Sequence, residues 1–189
     1  MLSNRFILWL APLLLAVAWS PARADDYADT IAVFQKADES KTFFANSYGY
    51  AVFPTIGKGG AVVGAAHGKG QVYEHGKVVG DTSMTQLTVG AQLGGQAFSQ
   101  IIFLQDKRAF DEFTKGEYEF GAEASAVAIT AGASAKAGTG GTGATKSITP
   151  DKAAAVAKYT NGMAVFTVAK GGLMYEATLG GQKYNYESL

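Results

Sequence analysis

Beyond residue 24 the hydrophobic positions follow two successive periods. In "DDYADTIAVFQKADESKTFFANSYG", Tyr27, Ile31 and Phe34 recur at helical spacing. Asp25, Asp26 and Asp29 suit the positive end of a helix dipole. The pattern predicts helix over 27–47 in two pieces. Ser40 is expected to cap a second, short helix that carries Phe43 and Phe44, with Gly49 ending it. Such an apolar stripe packs on the domain's own sheet or, in the sharper reading, touches a membrane.

After Gly49 the period falls to two. "YAVFP" reads as a short strand stopped by Pro54. "GAVVGAAHGKG" alternates small and apolar residues, and "QVYEHGKVVG" reads as a hairpin turning at His75-Gly76. "SMTQLTVGAQLGG" places Leu87, Val89, Ala91 and Leu93 on one face and Thr88, Gly90 and Gln92 on the other. "QAFSQIIFL" is bulky and apolar, and "DKRAFDEFTKG" predicts a helix over 106–115, capped by Asp106, with Phe110 and Phe113 inward. A strand follows in which Tyr118 and Phe120 share a face. Residues 131–149 are low-complexity Gly/Ala/Thr and are expected to lie outside the core. A helical turn is expected after Pro150, then two or three short strands divided by Gly-Gly pairs. Glycines inside strands mark bulges, bends or close backbone approach. The predicted architecture is therefore α+β: a curved, glycine-rich, barrel-like antiparallel sheet with an N-terminal helix and one further helix packed on it.

The first 24 residues differ in kind. Arg5 precedes an apolar run from Phe6 to Trp19, and Ala22-Arg23-Ala24 is a small-x-small cleavage site. This order predicts a secretory signal peptide over 1–24, in preference to a retained anchor, and a single domain over 25–189. The expected location is periplasmic or secreted, with peripheral membrane association. Cysteine is absent, so neither a disulfide nor a lipidated N-terminal cysteine enters the picture.

Charge and motifs exclude several functions. Arg108 is the one arginine beyond residue 24, which argues against nucleic acid as a partner. Gly68-Lys69 lacks the spacing of a phosphate-binding loop, and Gly57-x-Gly59 meets Val62 where a dinucleotide fingerprint requires glycine. His67 and His75, with Glu74 and Asp81, have no recognised metal-ligand spacing. Glu117, Glu119 and Glu123 read as solvent-facing charges rather than an acid–base pair. No catalytic residue, metal or cofactor is expected. The chain does carry a local positive surplus, Lys58, Lys69 and Lys77 with His67 and His75 against Glu74 alone. From the residues alone, ordinary solvated lysines are the preferred account of it.

The ordered motifs "GYAVFP", "KGG", "GAAHGKG", "GAQLGGQ", "IIFLQD" and "GLMYEATLGG" resemble the SYLF domain family over about residues 30 to 185. The ending "GGQKYNYESL" and the lack of SH3 or FYVE segments point toward secreted bacterial members, away from the trafficking and actin-linked roles of eukaryotic ones. What the resemblance implies is non-enzymatic phospholipid binding that favours anionic lipids, at the cell envelope. The expected lipid-binding residues are Lys58, Lys69, Lys77 and His67 for first contact, with Phe34, Phe43 and Phe44, alongside Ile31, for apolar insertion. The alternative is a structural or protein-interaction protein of the envelope with a specific protein partner and no lipid specificity. A hydrolase is a distant third.

Overall fold

A computed structural model describes residues 24–60, 63–89, 95–121, 124, 126–129, 158–170 and 179–189. The expected signal peptide, the 131–149 stretch and the turn after Pro150 lie outside the described residues. In chain order the elements are α1 (Ala24–Lys36), α2 (Phe43–Asn46), β1 (Gly49–Gly60), β2 (Val63–Glu74), β3 (Lys77–Val89), β4 (Gln96–Leu104), α3 (Lys107–Phe113), β5 (Glu117–Glu119), β6 (Val127–Ile129), β7 (Met163–Lys170) and β8 (Gln182–Ser188). The strands form one sheet in the order β5-β8-β3-β2-β1-β4-β7-β6. All pairings are antiparallel except β6 with β7.

The sheet bends sharply about β2. The buried side of that strand presents Gly64, Ala66, Gly68 and Gly70 in alternate positions. A methyl group at Gly70 would lie 2.6 Å from the Val52 carbonyl oxygen and 2.7 Å from the Phe53 ring. With no side chains in the way, the flanking strands fold toward each other over this face. Phe53 of β1 meets Tyr184 of β8 with ring centroids 5.5 Å apart, although two strands separate them. Gln100 of β4 donates from Nε2 to the Tyr184 hydroxyl at 2.6 Å, across three intervening strands. This face is therefore the concave one; the expected curved sheet forms, open among the described residues rather than closed into a barrel and antiparallel but for one edge pairing, with the N-terminal helices α1 and α2 and one further helix, α3, packed on it.

The concave core holds Phe53, Ile56, Met84, Ile102, Leu104 and Tyr184, with α3 contributing Phe110 and Phe113. Asp106 caps α3, its carboxylate accepting from the Ala109 amide at 2.8 Å. The ring of Phe110 lies against Gly49, so α3 covers the end of the trough where β1 begins. Tyr118 and Phe120 pack into this same core, as their alternation predicts. On the convex face α1 and α2 cover a second core of Tyr27, Phe34, Val52, Ile101, Phe103 and Phe166.

Three local expectations are corrected. Pro54 does not stop β1: the strand continues to Gly60 through a register shift between Val52 and Thr55, which absorbs the residue that cannot donate to the ladder. Ser40 does not cap α2, whose N-cap is Thr42; its hydroxyl instead donates to the Phe34 carbonyl at 2.6 Å and closes the end of α1. Gly49 does not end α2, whose C-cap is Ser47, but opens β1. The His75-Gly76 turn stands as expected, both residues adopting positive φ (48° and 81°), which matches the twist of a tight hairpin.

This packing can be tested by its stability. Ser40→Ala leaves the Phe34 carbonyl without its buried donor and should cost about 1–3 kcal/mol, read as a lower urea midpoint at unchanged slope. Gly70→Ala should cost about 1–3 kcal/mol through overpacking. Gly57→Ala, where an added methyl meets nothing within 4 Å, should be neutral or slightly stabilising. Equal midpoints for the two glycine variants would contradict the bend described for β2.

Candidate functional site

Among the described residues, the concave interior is packed by its own side chains. Buried Gln86, Gln100 and Gln182 converge on Tyr184. Tyr184 donates its hydroxyl proton to Gln182 Oε1, Gln182 Nε2 donates to Gln86 Oε1 at 3.4 Å, and Gln86 Nε2 donates to the Gly180 carbonyl at 2.9 Å. Burial raises the Tyr184 pKa far above the ordinary phenol value, so the hydroxyl stays neutral and able to donate. The chain of amides ties β4 and β8 together across the trough. Among these side chains there is neither a nucleophile nor an acid–base pair, and the buried Gln100 Oε1 has no hydrogen-bond partner among the described residues.

The convex face divides along the strands into three zones. Nearest the start of β1, helices α1 and α2 cover Tyr50, Val52, Tyr73, Ile101 and Phe103. Burial pushes the Tyr73 phenol up to about 12, so the tyrosines here contribute no charge. Beyond the helices lies a basic zone. Register places Lys170, Ala97, Gly57, His67, Thr85 and Lys183 in one continuous cross-strand row over β7, β4, β1, β2, β3 and β8. Lys69 sits in the adjacent row, paired with Thr55 and Ser83. Lys170 donates to the Thr55 hydroxyl at 2.7 Å, which holds its ammonium over β1 without neutralising it. Lys183 meets Glu119 at 3.6 Å where the row reaches the β5 edge. The last zone, at the end of the β1–β2 hairpin, is apolar: Val63, Ala65 and Leu87 are exposed, beside Gly57 and Gly59.

A groove of about 530 Å³ opens at the side of this face, between the start of α1 and strands β3 and β8. Tyr27, Lys69, Asp81, Asn185 and Glu187 line it. Asp81 and Glu187 are direct cross-strand partners. These two carboxylates share the lining of the groove with Lys69, whereas Lys170 and His67 lie outside it. Among the described residues no group of three or more His, Asp or Glu could hold a metal ion.

The structure distributes the sequence-derived candidates over three places. Lys69 and His67 lie on the convex basic zone. Lys58 shares the opposite, concave-side register with Ile56 and Ala66. Lys77 pairs with Glu74 beside the hairpin turn, five residues along β2 from Lys69 and thus roughly 17 Å away. The three lysines, near in sequence, do not form one patch, because alternation and strand length separate them. Phe34 is fully buried, and Phe43 and Phe44 are half-buried among Phe103, Phe166, Tyr50 and Tyr159 with centroids 4.8–5.5 Å apart. Their apolar surface is engaged in holding the helices to the sheet. Lys170 and Lys183 escaped sequence reading, since only register brings residues so distant along the chain to His67.

The family model described as Ysc84, Las17-binding protein actin regulator, matches residues 85–186, from within β3 into β8. Beta cell expansion factor A of Aeromonas veronii is 30% identical over 161 residues, covering 83% of this chain and 53% of that protein. The chain thus spans about half the length of the curated relative it matches. The matched stretch includes the strands that carry the amide chain and both distal lysines of the basic row. On these matches, and on the ordered motifs that resemble it, the chain belongs to the Ysc84 (SYLF) family.

Proposed function

We propose that this protein is a non-enzymatic binder of anionic phospholipid membranes, exported to the cell envelope and associated with the membrane from one side. The observation that carries this reading is the cross-strand basic row on the convex face, Lys170 to Lys183 through His67, with Lys69 beside it. Lysine suits a fluid headgroup surface, being a mobile point charge that imposes no forked geometry. Each cation near an anionic bilayer contributes about 1 kcal/mol. Lys69 and Lys170 together therefore shift partitioning roughly thirtyfold, while Lys183 gives less because Glu119 shares its charge. Among the described residues no helix is long and apolar enough to cross a membrane. The family description as a Las17-binding actin regulator supports a second reading, a protein-binding domain.

Two measurements test the proposal. Co-sedimentation with phosphatidylglycerol-containing vesicles should exceed that with neutral vesicles and weaken as salt shortens the Debye length. Lys69→Glu with Lys170→Glu should lower it at least thirtyfold, whereas Lys58→Glu with Lys77→Glu, off the basic zone, should change it little. Equal binding to neutral and anionic vesicles would sink the reading. Export is tested separately: mass spectrometry of protein from the envelope should find Asp25 as the N-terminal residue. Cleavage there leaves Asp25 and Asp26 in the first turn of α1, where their charge favours the helix. An N-terminus that still carries Trp9 would contradict it.

A further inference from the structure

We infer that the end of the sheet at Val63, Ala65 and Leu87 is the part of this protein that enters the bilayer, seating among acyl chains while the basic row meets the headgroups. The inference rests on the membrane-binding reading above and names its contact surface. Strand β3 carries its amphipathicity reversed at this end. Gln86 is 4% exposed on the concave side, while Leu87, the next residue, is 78% exposed on the convex side. Ala65 of β2 is the direct partner of Leu87, and Val63, two residues along the same face, is 62% exposed. Ser83 and Thr85, earlier on the same side of β3, are polar, as a solvated sheet face should be. The change to aliphatic residues is confined to the strand ends.

The surroundings of this patch match a lipid interface. A methyl group added at Gly57 or Gly59 would meet nothing within 4 Å, so the β1 side is open and flat. The row of Gly59, Ala65 and Leu87 lies two residues beyond the row of Gly57, His67 and Thr85. That separates the aliphatic and basic zones by roughly 7 Å, within the roughly 5–10 Å depth to which interfacial apolar faces sink below the headgroups. Charge also selects this occupant over a second copy of the chain. Two such faces docked on each other would bring lysine rows of like sign together, whereas anionic headgroups neutralise them.

The absence of cysteine makes the test clean. The full chain carrying Leu87→Cys is labelled with an environment-sensitive NBD fluorophore and mixed with phosphatidylglycerol/phosphatidylcholine vesicles, with and without a nitroxide on the upper acyl chain. Emission should shift to the blue and be quenched by the nitroxide. The same label at Lys77→Cys, at the opposite end of β3, should remain aqueous. Independently, Leu87→Gln with Val63→Thr should lower vesicle partitioning about tenfold from lost aliphatic transfer at a salt concentration that screens the lysines. Gly59→Leu should raise it by a similar factor. A label at residue 87 that stays aqueous while the protein sediments with anionic vesicles overturns this contact surface and leaves the membrane reading standing. No sedimentation of the parent with any vesicle overturns both. A parent dimer that Leu87→Gln converts to monomer, with vesicle binding unchanged, makes a second copy the occupant and also overturns it.

Discussion

The tight bend of the sheet about β2 is the constraint on which the rest of this structure depends. It exists because four alternate positions on one side of that strand carry at most a methyl group. A β-sheet normally spaces its faces with side chains, and larger residues here would force the flanking strands apart. Their absence lets Phe53 lie under the backbone of Gly70 and brings β4 and β8 within hydrogen-bonding distance. Glycine in a strand costs chain entropy. Closing the trough offsets that cost by packing the Tyr184 ring against Phe53, Phe113 and Phe120.

Closure has a chemical consequence for where function can reside. The trough is filled by aromatic rings and by an amide chain whose groups largely satisfy one another. These bonds link β4 to β8 across the trough, while the buried Gln100 Oε1 has no hydrogen-bond partner among the described residues. The filled trough leaves no exposed acid, base or nucleophile among the described residues of the concave core for a substrate to meet. On the convex face, among the described residues, α1 and α2 cover one part of the surface and the other is left exposed.

On that open part the charge pattern is a product of register. Lys69 and His67 come from β2, Lys183 from β8 and Lys170 from β7, a span of about a hundred residues along the chain. The cations stand on β7, β2 and β8, and the strands between contribute small or neutral residues, Ala97, Gly57 and Thr85. The result is a shallow basic band bordered on one side by a carboxylate-bearing groove and on the other by aliphatic side chains. Such a band is an exposed face rather than an enclosed pocket, the geometry on which the membrane proposal rests.

The sequence by itself determined the elements and the reason for their shape. Helical spacing at Tyr27, Ile31 and Phe34 and around Phe110, the His75-Gly76 turn, and the alternation of small residues in "GAAHGKG" are local facts, set by steric and periodic rules that act within a few residues. Long-range pairing decided the rest. Whether Leu87 or Gln86 faces the core depends on which side of β3 is needed to complete the trough against Tyr184 and Gln182, and that contest is won by partners about a hundred residues away. Pro54 was absorbed because two neighbouring strands could hold a bulge in place. Lys58, Lys69 and Lys77 look like one cluster in sequence, yet a period of two and a rise of about 3.4 Å per residue send them to different faces and ends. Composition could announce a positive surplus, but only the cross-strand register could say which lysines share a surface.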